Sequence, residues 1–333
     1  TLGQAARTEG NADHLLTAYC STQAHVSIAK ALELLGLGST ALRAVPVLPD
    51  YSMNCDALGR LVAQDASEGR TPFAVISSVG SVNTGAIDDI QSINAVCKAN
   101  ALWHHVDGAF GASIALSHRL RHRLAGVEHA DSIAFDFHKW MHVTYAAGCL
   151  LVRDGAEHRD TFTTAQAYLR EEQKGVAGGT PWPTDYGIDL SRGFAALGVW
   201  MQLKEHGSVR LGDAIARNCE QAGWLGEQVD AQEDLELLAP VNLNIVCFRY
   251  APAGISAEQL DQVNRSLKKC GDQGGIGSFM DVNFVRVLVM YHSKSRFYPD
   301  GRLYPETEAA MKDCFFRQMD KKKQKLWNAN IPM

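Results

Sequence analysis

The sequence lacks several features that mark particular classes of protein. No apolar run approaches the ~20 residues of a membrane-spanning helix, and no signal-peptide pattern opens the chain, so no membrane segment is expected. Neither a CxxC pair nor an HExxH motif occurs among the eight cysteines and twelve histidines, which argues against a disulfide framework or a metal site. The net charge of −5 gives no basic field for nucleic acid. These absences predict a soluble, cytoplasmic protein with reduced cysteines and with no metal, membrane or nucleic-acid partner.

What the sequence does contain is typical of a globular α/β protein. Its 333 residues are 46% hydrophobic and 21% charged, which is enough for two domains with apolar cores. Segments with helical spacing alternate with short apolar runs typical of strands. We predict a large domain at residues 1–190 and a smaller α+β domain at residues 191–333. Strands are predicted at 15–20, 44–48, 73–78, 103–106, 132–135, 146–152, 242–250 and 284–291, and helices at 26–35, 55–68, 90–99, 113–124, 190–206, 209–229, 256–269 and 306–319.

The central stretch WHHVDGAFG to DSIAFDFHKW places charged residues just after two predicted strands. Asp107 follows strand 103–106, and Lys139 lies shortly after strand 132–135, with helix 113–124 between the two strands. Open α/β sheets bind ligands at the carboxyl ends of such strands. An aspartate and a lysine brought to one crevice suit pyridoxal phosphate (PLP), because the lysine forms the Schiff base and the aspartate holds the pyridine nitrogen protonated.

Each member of this pair also has a purely structural interpretation. Lys139 alone could be a surface lysine, and Asp107 alone could cap the segment that follows it. The large neighbours His138 and Trp140 argue against a free solvent face for Lys139. Because the two residues lie one strand apart, we interpret them as a cofactor-binding pair.

Further residues are candidates for the site, each with an alternative role. His25 lies at a strand-to-helix turn, where its imidazole could serve the helix start or stack on a cofactor ring. Asp88 is either a charge at a helix N-terminus or part of the site, and the sequence favours neither. Arg192 could meet a substrate carboxylate or pair with Asp189. Tyr168 lies in a predicted lid, from which a phenol could deliver a proton to a carbanion.

Four motifs in order carry a resemblance to a known family. The runs STQAHVSIAKALELLG, HVDGAFG, ADS followed by FHKW, and GCLLVRD resemble the group II PLP-dependent decarboxylases, the family of aromatic amino acid, glutamate and cysteine sulfinate decarboxylases. The resemblance covers residues 1–249. It implies the PLP-dependent transferase fold of the aspartate-aminotransferase type, an α/β fold with a mixed, mostly parallel sheet and a smaller C-terminal α+β domain. It also implies a homodimer with active sites at the subunit interface.

The resemblance assigns roles to residues by position. It implies that Lys139 is the imine lysine, Asp107 the partner of the pyridine nitrogen and Ala109 a neighbour of the cofactor ring. His25 matches the stacking histidine, and His138 matches a histidine on the phosphate side.

Four other positions complete the expected site. Tyr168 matches the lid tyrosine that protonates the substrate carbon, where aldehyde-forming relatives tend to have Phe. Val82 stands where many relatives have a hydroxyl residue, and Ser81 is close enough to substitute for it. Asp136 replaces a common Asn near the cofactor phosphate.

The expected activity is PLP-dependent decarboxylation of an L-amino acid to the corresponding amine and CO2. Two alternatives stay open, namely a catalytically silent or truncated member of the fold, and an aldehyde-forming oxidative decarboxylase or lyase. The chain opens on Thr1, and family members are longer. We therefore expect a fragment that lacks a phosphate-gripping loop and a dimer-forming segment.

Overall fold

A six-stranded sheet organises the larger part of the structure. The computed structural model describes residues 15–163, 175, 182–254 and 256, together with the backbone of two strands at 278–279 and 285–288. The spatial order of the strands is β2-β1-β3-β4-β5-β6. The five strands from β2 to β5 run parallel and β6 is antiparallel to β5, which confirms the mixed, mostly parallel sheet and the hairpin-like return predicted after Lys139. The strands are β1 (Leu16–Ser21), β2 (Leu42–Val45), β3 (Thr71–Ser78), β4 (Trp103–Asp107), β5 (Ser132–Asp136) and β6 (Gly148–Val152).

Helices connect several of the parallel strands, and two of these helices begin at residues whose side chains cap them. Asn54 accepts a hydrogen bond from the Ala57 amide at 3.0 Å, and Asp89 accepts one from the Ser92 amide at 3.0 Å. These caps fix the starts of the second and third helices at the predicted positions. The described helices are α1 (Ser27–Leu34), α2 (Cys55–Ser67), α3 (Ile90–Ala99), α4 (Gly155–Phe162) and α5 (Ala195–Asp230).

The helix predicted at 113–124 is wrong. Two short 3₁₀ segments, Gly111–Leu116 and Arg121–Leu124, occupy this stretch instead. Ser117 lies between them in an extended conformation, and its hydroxyl accepts a hydrogen bond from the Arg119 amide at 3.3 Å. Such local side-chain bonds compete with the helical pattern, and 3₁₀ turns are stable only as short pieces.

The second part of the described chain combines one long helix with a second sheet. Helix α5 merges the two helical segments predicted at 190–206 and 209–229, and Gly207 with φ of 69° marks the kink between them. The second sheet is antiparallel, in the order β7 (Leu235–Leu237), β8 (Ile245–Tyr250), β10 (Val285–Leu288), β9 (Ser278–Phe279). The helices predicted at 256–269 and 306–319 lie outside the described residues, apart from Ser256. The domain boundary near residue 190 stays a prediction.

The two largest of the apolar clusters support the large sheet. One cluster packs helices α2 and α3 against β1 and β3 through Tyr19, Leu58 and Val75. The other gathers Trp140 and Ile215 with residues from the strand ends, beneath the candidate site. Each fully buried side chain of this size contributes roughly 1.5–3 kcal/mol to folding. No helix in the described parts of the chain is long and apolar enough to span a bilayer.

Candidate active site

The candidate residues meet along one edge of the large sheet. Because the carboxyl ends of parallel strands lie on the same edge, the segments after β1, β3, β4 and β5 are neighbours there. His25 follows β1, Ser81 and Val82 follow β3, Asp107 ends β4, and Asp136 ends β5. The strand order therefore brings together residues that are more than one hundred positions apart in the sequence.

Lys139 follows β5 by three residues and forms an ion pair. Its Nζ lies 2.7 Å from Oδ2 of Asp136, and the two side chains are 39% and 23% exposed. An ion pair this open to water contributes about 1 kcal/mol or less to stability. The ion pair therefore sets the position of the Lys139 amine and contributes little to the stability of the fold.

Trp140 fixes the backbone immediately after Lys139. Its side chain is 1% exposed and stacks on the ring of Phe110, with centroids 4.8 Å apart and planes 8° apart. The indole Nε1 donates a hydrogen bond to Oδ1 of Asn218 on α5 at 3.0 Å. Because a buried Trp satisfied in this way costs several kcal/mol to remove, the lysine stands on a rigid support.

Asp107 lies one strand away from this lysine. It is half-buried, and its Oδ1 accepts a hydrogen bond from the Ala109 amide at 3.1 Å. This is the capping contact that the sequence allowed, and it also orients the carboxylate. The carbonyl of Ala109 accepts a hydrogen bond from the Asp136 amide at 3.2 Å, so the segments that carry Asp107 and Lys139 are joined through their backbones.

The glycines of the HVDGAFG motif allow this close approach of strand ends. A Cβ atom at Gly108 would lie 2.6 Å from Cβ of Ala112, and one at Gly111 would lie 2.4 Å from the carbonyl oxygen of Val79. Real Cβ atoms do not come so close, so both positions require glycine. The sequence reading used the motif for its resemblance and did not identify these contacts.

His25 is exposed and is held at the start of α1. Its Nδ1 lies 2.7 Å from Oγ of Ser27 and accepts a hydrogen bond from the Ser27 amide at 3.2 Å. Both bonds are made at Nδ1, in the plane of the ring, and the residue as a whole is exposed. The position is compatible with both roles that the sequence suggested, helix start and ring stacking.

The loop after β3 carries Ser81 inward and Val82 outward. Ser81 is buried, its hydroxyl lies 2.8 Å from that of Thr84, and it accepts a hydrogen bond from the Ala86 amide at 3.1 Å. Val82 is 43% exposed. The Ser81 hydroxyl therefore closes its own loop, while the Val82 side chain faces outward.

His138 secures the segment that follows the lysine. Its Nδ1 accepts a hydrogen bond from the Ala147 amide at 3.0 Å, so the neutral imidazole carries its proton on Nε2. The ring lies against Tyr145, with centroids 4.1 Å apart, and Nε2 is 4.0 Å from Oδ2 of Asp136. These contacts join His138 to the end of β5 and to the segment between β5 and β6.

Comparison with known proteins places the chain in a family. A family model described as the pyridoxal-dependent decarboxylase conserved domain matches residues 4–251. The chain belongs to the pyridoxal-dependent decarboxylase family. The resemblance predicted from the four sequence motifs is therefore confirmed, as is the α/β fold of the PLP-dependent decarboxylases.

Relatives and solved structures of this decarboxylase family agree with the match. The aromatic-L-amino-acid decarboxylase of Bacillus atrophaeus is 32% identical over 75% of this chain and 52% of the relative. The phenylacetaldehyde synthase of Petunia hybrida is 32% identical over 70% of this chain and 46% of the synthase. The structure of Oryza sativa TDC with PLP and tryptamine has a TM-score of 0.82 at 25% identity, and covers 96% of this chain and 66% of that one. The structure of mouse CSAD in apo form has a TM-score of 0.78 at 28% identity, and the match covers 86% of this chain and 62% of that one. The chain spans about half the length of the curated relatives it matches.

Asp88 is a residue whose role the sequence left open. The helix cap is the neighbouring Asp89, while Asp88 is 5% exposed and accepts hydrogen bonds from the amides of Met53 and Ser78, both at 2.7 Å. Burial raises its pKa to about 6 in spite of these two bonds. The sequence did offer a signal for a separate role of Asp88: a helix start needs only one capping carboxylate, and two adjacent aspartates precede this helix.

The remaining candidates divide between described and undescribed parts of the chain. Tyr168 lies outside the described residues. Arg192 is exposed, and its Nε donates a hydrogen bond to the backbone carbonyl of Asp189 at 3.4 Å. Within the described ranges, no three His, Cys, Asp or Glu side chains are grouped so that they could hold a metal ion.

Proposed function

We propose that the protein decarboxylates an L-amino acid to the corresponding amine and CO2, with PLP as cofactor. The observation that carries the proposal is the arrangement at one sheet edge, where Lys139 follows β5 and Asp107 ends the neighbouring strand β4, in a chain of the pyridoxal-dependent decarboxylase family. Several relatives are named as amino acid decarboxylases, which supports the reaction class.

The groups present at this edge fit PLP. Lys139 supplies a partly exposed amine for the aldehyde, the carboxylate of Asp107 suits the ring nitrogen, and the exposed imidazole of His25 can lie against the ring. We place Ala109 beside the ring, and Ser81, Val82, Asp136 and His138 around the phosphate side. When bound, this cofactor accepts the electron pair released as the bond between Cα and the carboxylate breaks.

The chain's own residues would hold and move protons around this step. The carboxylate of Asp107, oriented by the Ala109 amide, would keep a proton on the ring nitrogen through a charge-assisted hydrogen bond. Lys139 would supply the amine that bonds to the aldehyde carbon of the cofactor, and Asp136, whose Oδ2 lies 2.7 Å from Nζ, is positioned to accept the proton that the nitrogen gives up. CO2 leaves, and Cα gains one proton in its stead. We propose Tyr168 as the donor of that proton.

We further propose that the protein acts as a cytoplasmic homodimer. Support for the dimer comes from an apolar strip, which we define as Ile188, Leu190, Phe194, Leu197, Trp200 and Met201; Ile188 is 91% and Phe194 75% exposed. Apolar surface of this kind marks interaction sites. The six described cysteines form no disulfide bond, as is usual for a reducing compartment. We also keep the division into a cofactor-binding domain up to residue 190 and a smaller domain after it.

A lysine variant tests the proposal. Lys139→Ala should abolish the visible absorbance of lysine-bound PLP and lower the rate of CO2 release by about 10²- to 10⁴-fold or more, because both depend on the amine. Lys98→Ala, in the last turn of α3, is the matched control and should keep both. Amine and CO2 should appear in equal amounts from a panel of amino acids. Aldehyde and peroxide as products would favour the oxidative alternative, and a wild-type chain without the absorbance would overturn the proposal.

A further inference from the structure

The loop that carries Ser81 and Val82 is closed by bonds at its base. The amides of Gly80 and Ser81 donate to the carbonyl of Ala86 at 3.0 and 2.9 Å, and the Gly85 amide donates to the carbonyl of Ser81 at 2.9 Å. These bonds fold the loop on itself. They do not by themselves fix the loop relative to the sheet.

Asp88 supplies the connection between the loop and the sheet. Its Oδ2 accepts a hydrogen bond from the Ser78 amide at 2.7 Å, and its own amide donates to the Ser78 carbonyl at 3.0 Å. Both bonds are made to the last residue of β3. Oδ1 accepts a hydrogen bond from the Met53 amide at 2.7 Å, just before α2. A single buried carboxylate therefore joins the end of the loop, the end of β3 and the entry to α2.

The same connection reaches the aspartate of the site. Ser78 and Asp107 are partners in the register of β3 and β4, and the amide of Val79 donates to the carbonyl of Asp107 at 2.9 Å. The carbonyl of Val79 in turn accepts a hydrogen bond from the Gly111 amide at 3.0 Å. A shift of Ser78 would consequently move the backbone on which Asp107 stands.

We infer that Asp88 is a positioning residue for the cofactor site, which acts by holding the Ser81 loop and the Asp107 backbone in one arrangement. The inference rests on the proposed function, because it takes PLP as the group that the loop and Asp107 meet. A carboxylate suits this task because both of its oxygens accept. An asparagine of the same size would turn an NH₂ donor toward one of the two amides and leave that amide without an acceptor.

The test compares Asp88→Asn with Asp89→Asn. Both changes remove one acidic charge at the same place in the chain, but Asp89 is exposed and caps α3. Hydrogen exchange followed by mass spectrometry in the cofactor-free chain should show faster exchange over residues 78–86 for Asp88→Asn only. The dissociation constant of PLP, measured from the absorbance of the lysine-bound form, should rise by about tenfold or more for Asp88→Asn, as for other residues that orient ligand-binding groups. It should stay within about twofold of wild type for Asp89→Asn.

A third variant separates positioning from general loss of stability. Val62→Ala opens a cavity in the core between α2 and the sheet and lowers the melting temperature without touching the loop. Weak PLP binding in Val62→Ala at a similar melting temperature, or unchanged binding in Asp88→Asn, would overturn the inference. If the wild-type chain itself fails to bind PLP, the proposed function is overturned. In that case the hydrogen-exchange experiment still tests Asp88, because unchanged exchange over residues 78–86 in Asp88→Asn would show that Asp88 does not hold the loop.

Discussion

The two sides of the large sheet differ in how completely the described chain buries its own apolar side chains. On the buried flank, which consists of β1, β3, β4, α2 and α3, five of the six residues of β1 are buried. On the open edge, which we define as β6 with the apolar strip, Leu150 and Leu151 are 50% and 54% exposed although successive strand residues point to opposite faces. The buried flank is therefore complete in itself, whereas the open edge presents apolar surface that suits a partner.

Polar groups on the buried flank are also paired within it. Tyr19, which is fully buried, donates a hydrogen bond to Asp65 at 2.7 Å, and Arg43 Nε lies 3.0 Å from the same carboxylate. Burial alone would raise the pKa of Asp65, but the bonds from Arg43 and Tyr19 hold it below its ordinary value. Loss of one member of this network should therefore lower the stability of the buried flank.

The largest effect is expected from Asp65→Ala. Removal of the carboxylate takes one acceptor from the buried Tyr19 hydroxyl and breaks the ion pair with the Arg43 guanidinium, so the free energy of unfolding should fall by about 3–5 kcal/mol. Asp154→Ala is the control near the open edge, where the exposed aspartate caps α4, and should cost about 1 kcal/mol. Denaturant unfolding of both variants measures the difference. Equal losses would show that the two regions do not differ in the way that burial indicates.

A second prediction uses two buried groups of the flank that titrate in opposite directions. Burial raises the pKa of Asp88 from 3.8 to about 6, so its contribution to stability is complete below pH 3.8 and is lost as the pH rises through about 6. Burial lowers the pKa of His104 from 6.5 to about 4, so its contribution is present above pH 6.5 and is lost as the pH falls through about 4. Each change is worth about 3 kcal/mol, and in wild type the two slopes offset each other between pH 4 and 6.

His104→Gln should remove one slope and reveal the other. His104 is held by the Ser77 hydroxyl at 2.8 Å and Asn94 Oδ1 at 2.5 Å, and Gln keeps a polar group there. Relative to wild type, the variant should lose up to about 3 kcal/mol of unfolding free energy as the pH rises from 4 to 6. Denaturant titrations at a series of pH values would measure this. Parallel stability curves for the two proteins would contradict the assignment of opposite slopes.

The sequence predicted the parts of the site that depend on local pattern. Strand periodicity and the charged residues at strand ends located Asp107 and Lys139, and the short connection after Lys139 excluded a helical crossover. Neither inference needed knowledge of distant contacts. The strand order places His25, which follows β1, on the same edge.

Two of the missed features depend on contacts between distant residues, and a third depends on local side-chain bonding. Asp88 bonds to Met53, 35 positions earlier, and nothing in its local pattern separates it from the capping Asp89. The requirement for glycine at Gly111 comes from Val79, and the interruption of the predicted helix at Ser117 comes from local hydroxyl bonding that competes with helical spacing. Hydrophobic periodicity does not report either effect.

The smallest effect on stability is expected at the open edge. Leu150→Lys should change the free energy of unfolding by no more than about 0.5 kcal/mol, because half of the side chain is already exposed. It should nevertheless reduce self-association in sedimentation experiments, since a lysine on an edge strand opposes pairing with a second copy. Leu34→Lys is the matched control, because Leu34 on α1 is 89% exposed and belongs to neither region. A large loss of stability in Leu150→Lys would mean that the chain covers this edge itself, and unchanged self-association would separate the dimer proposal from this surface.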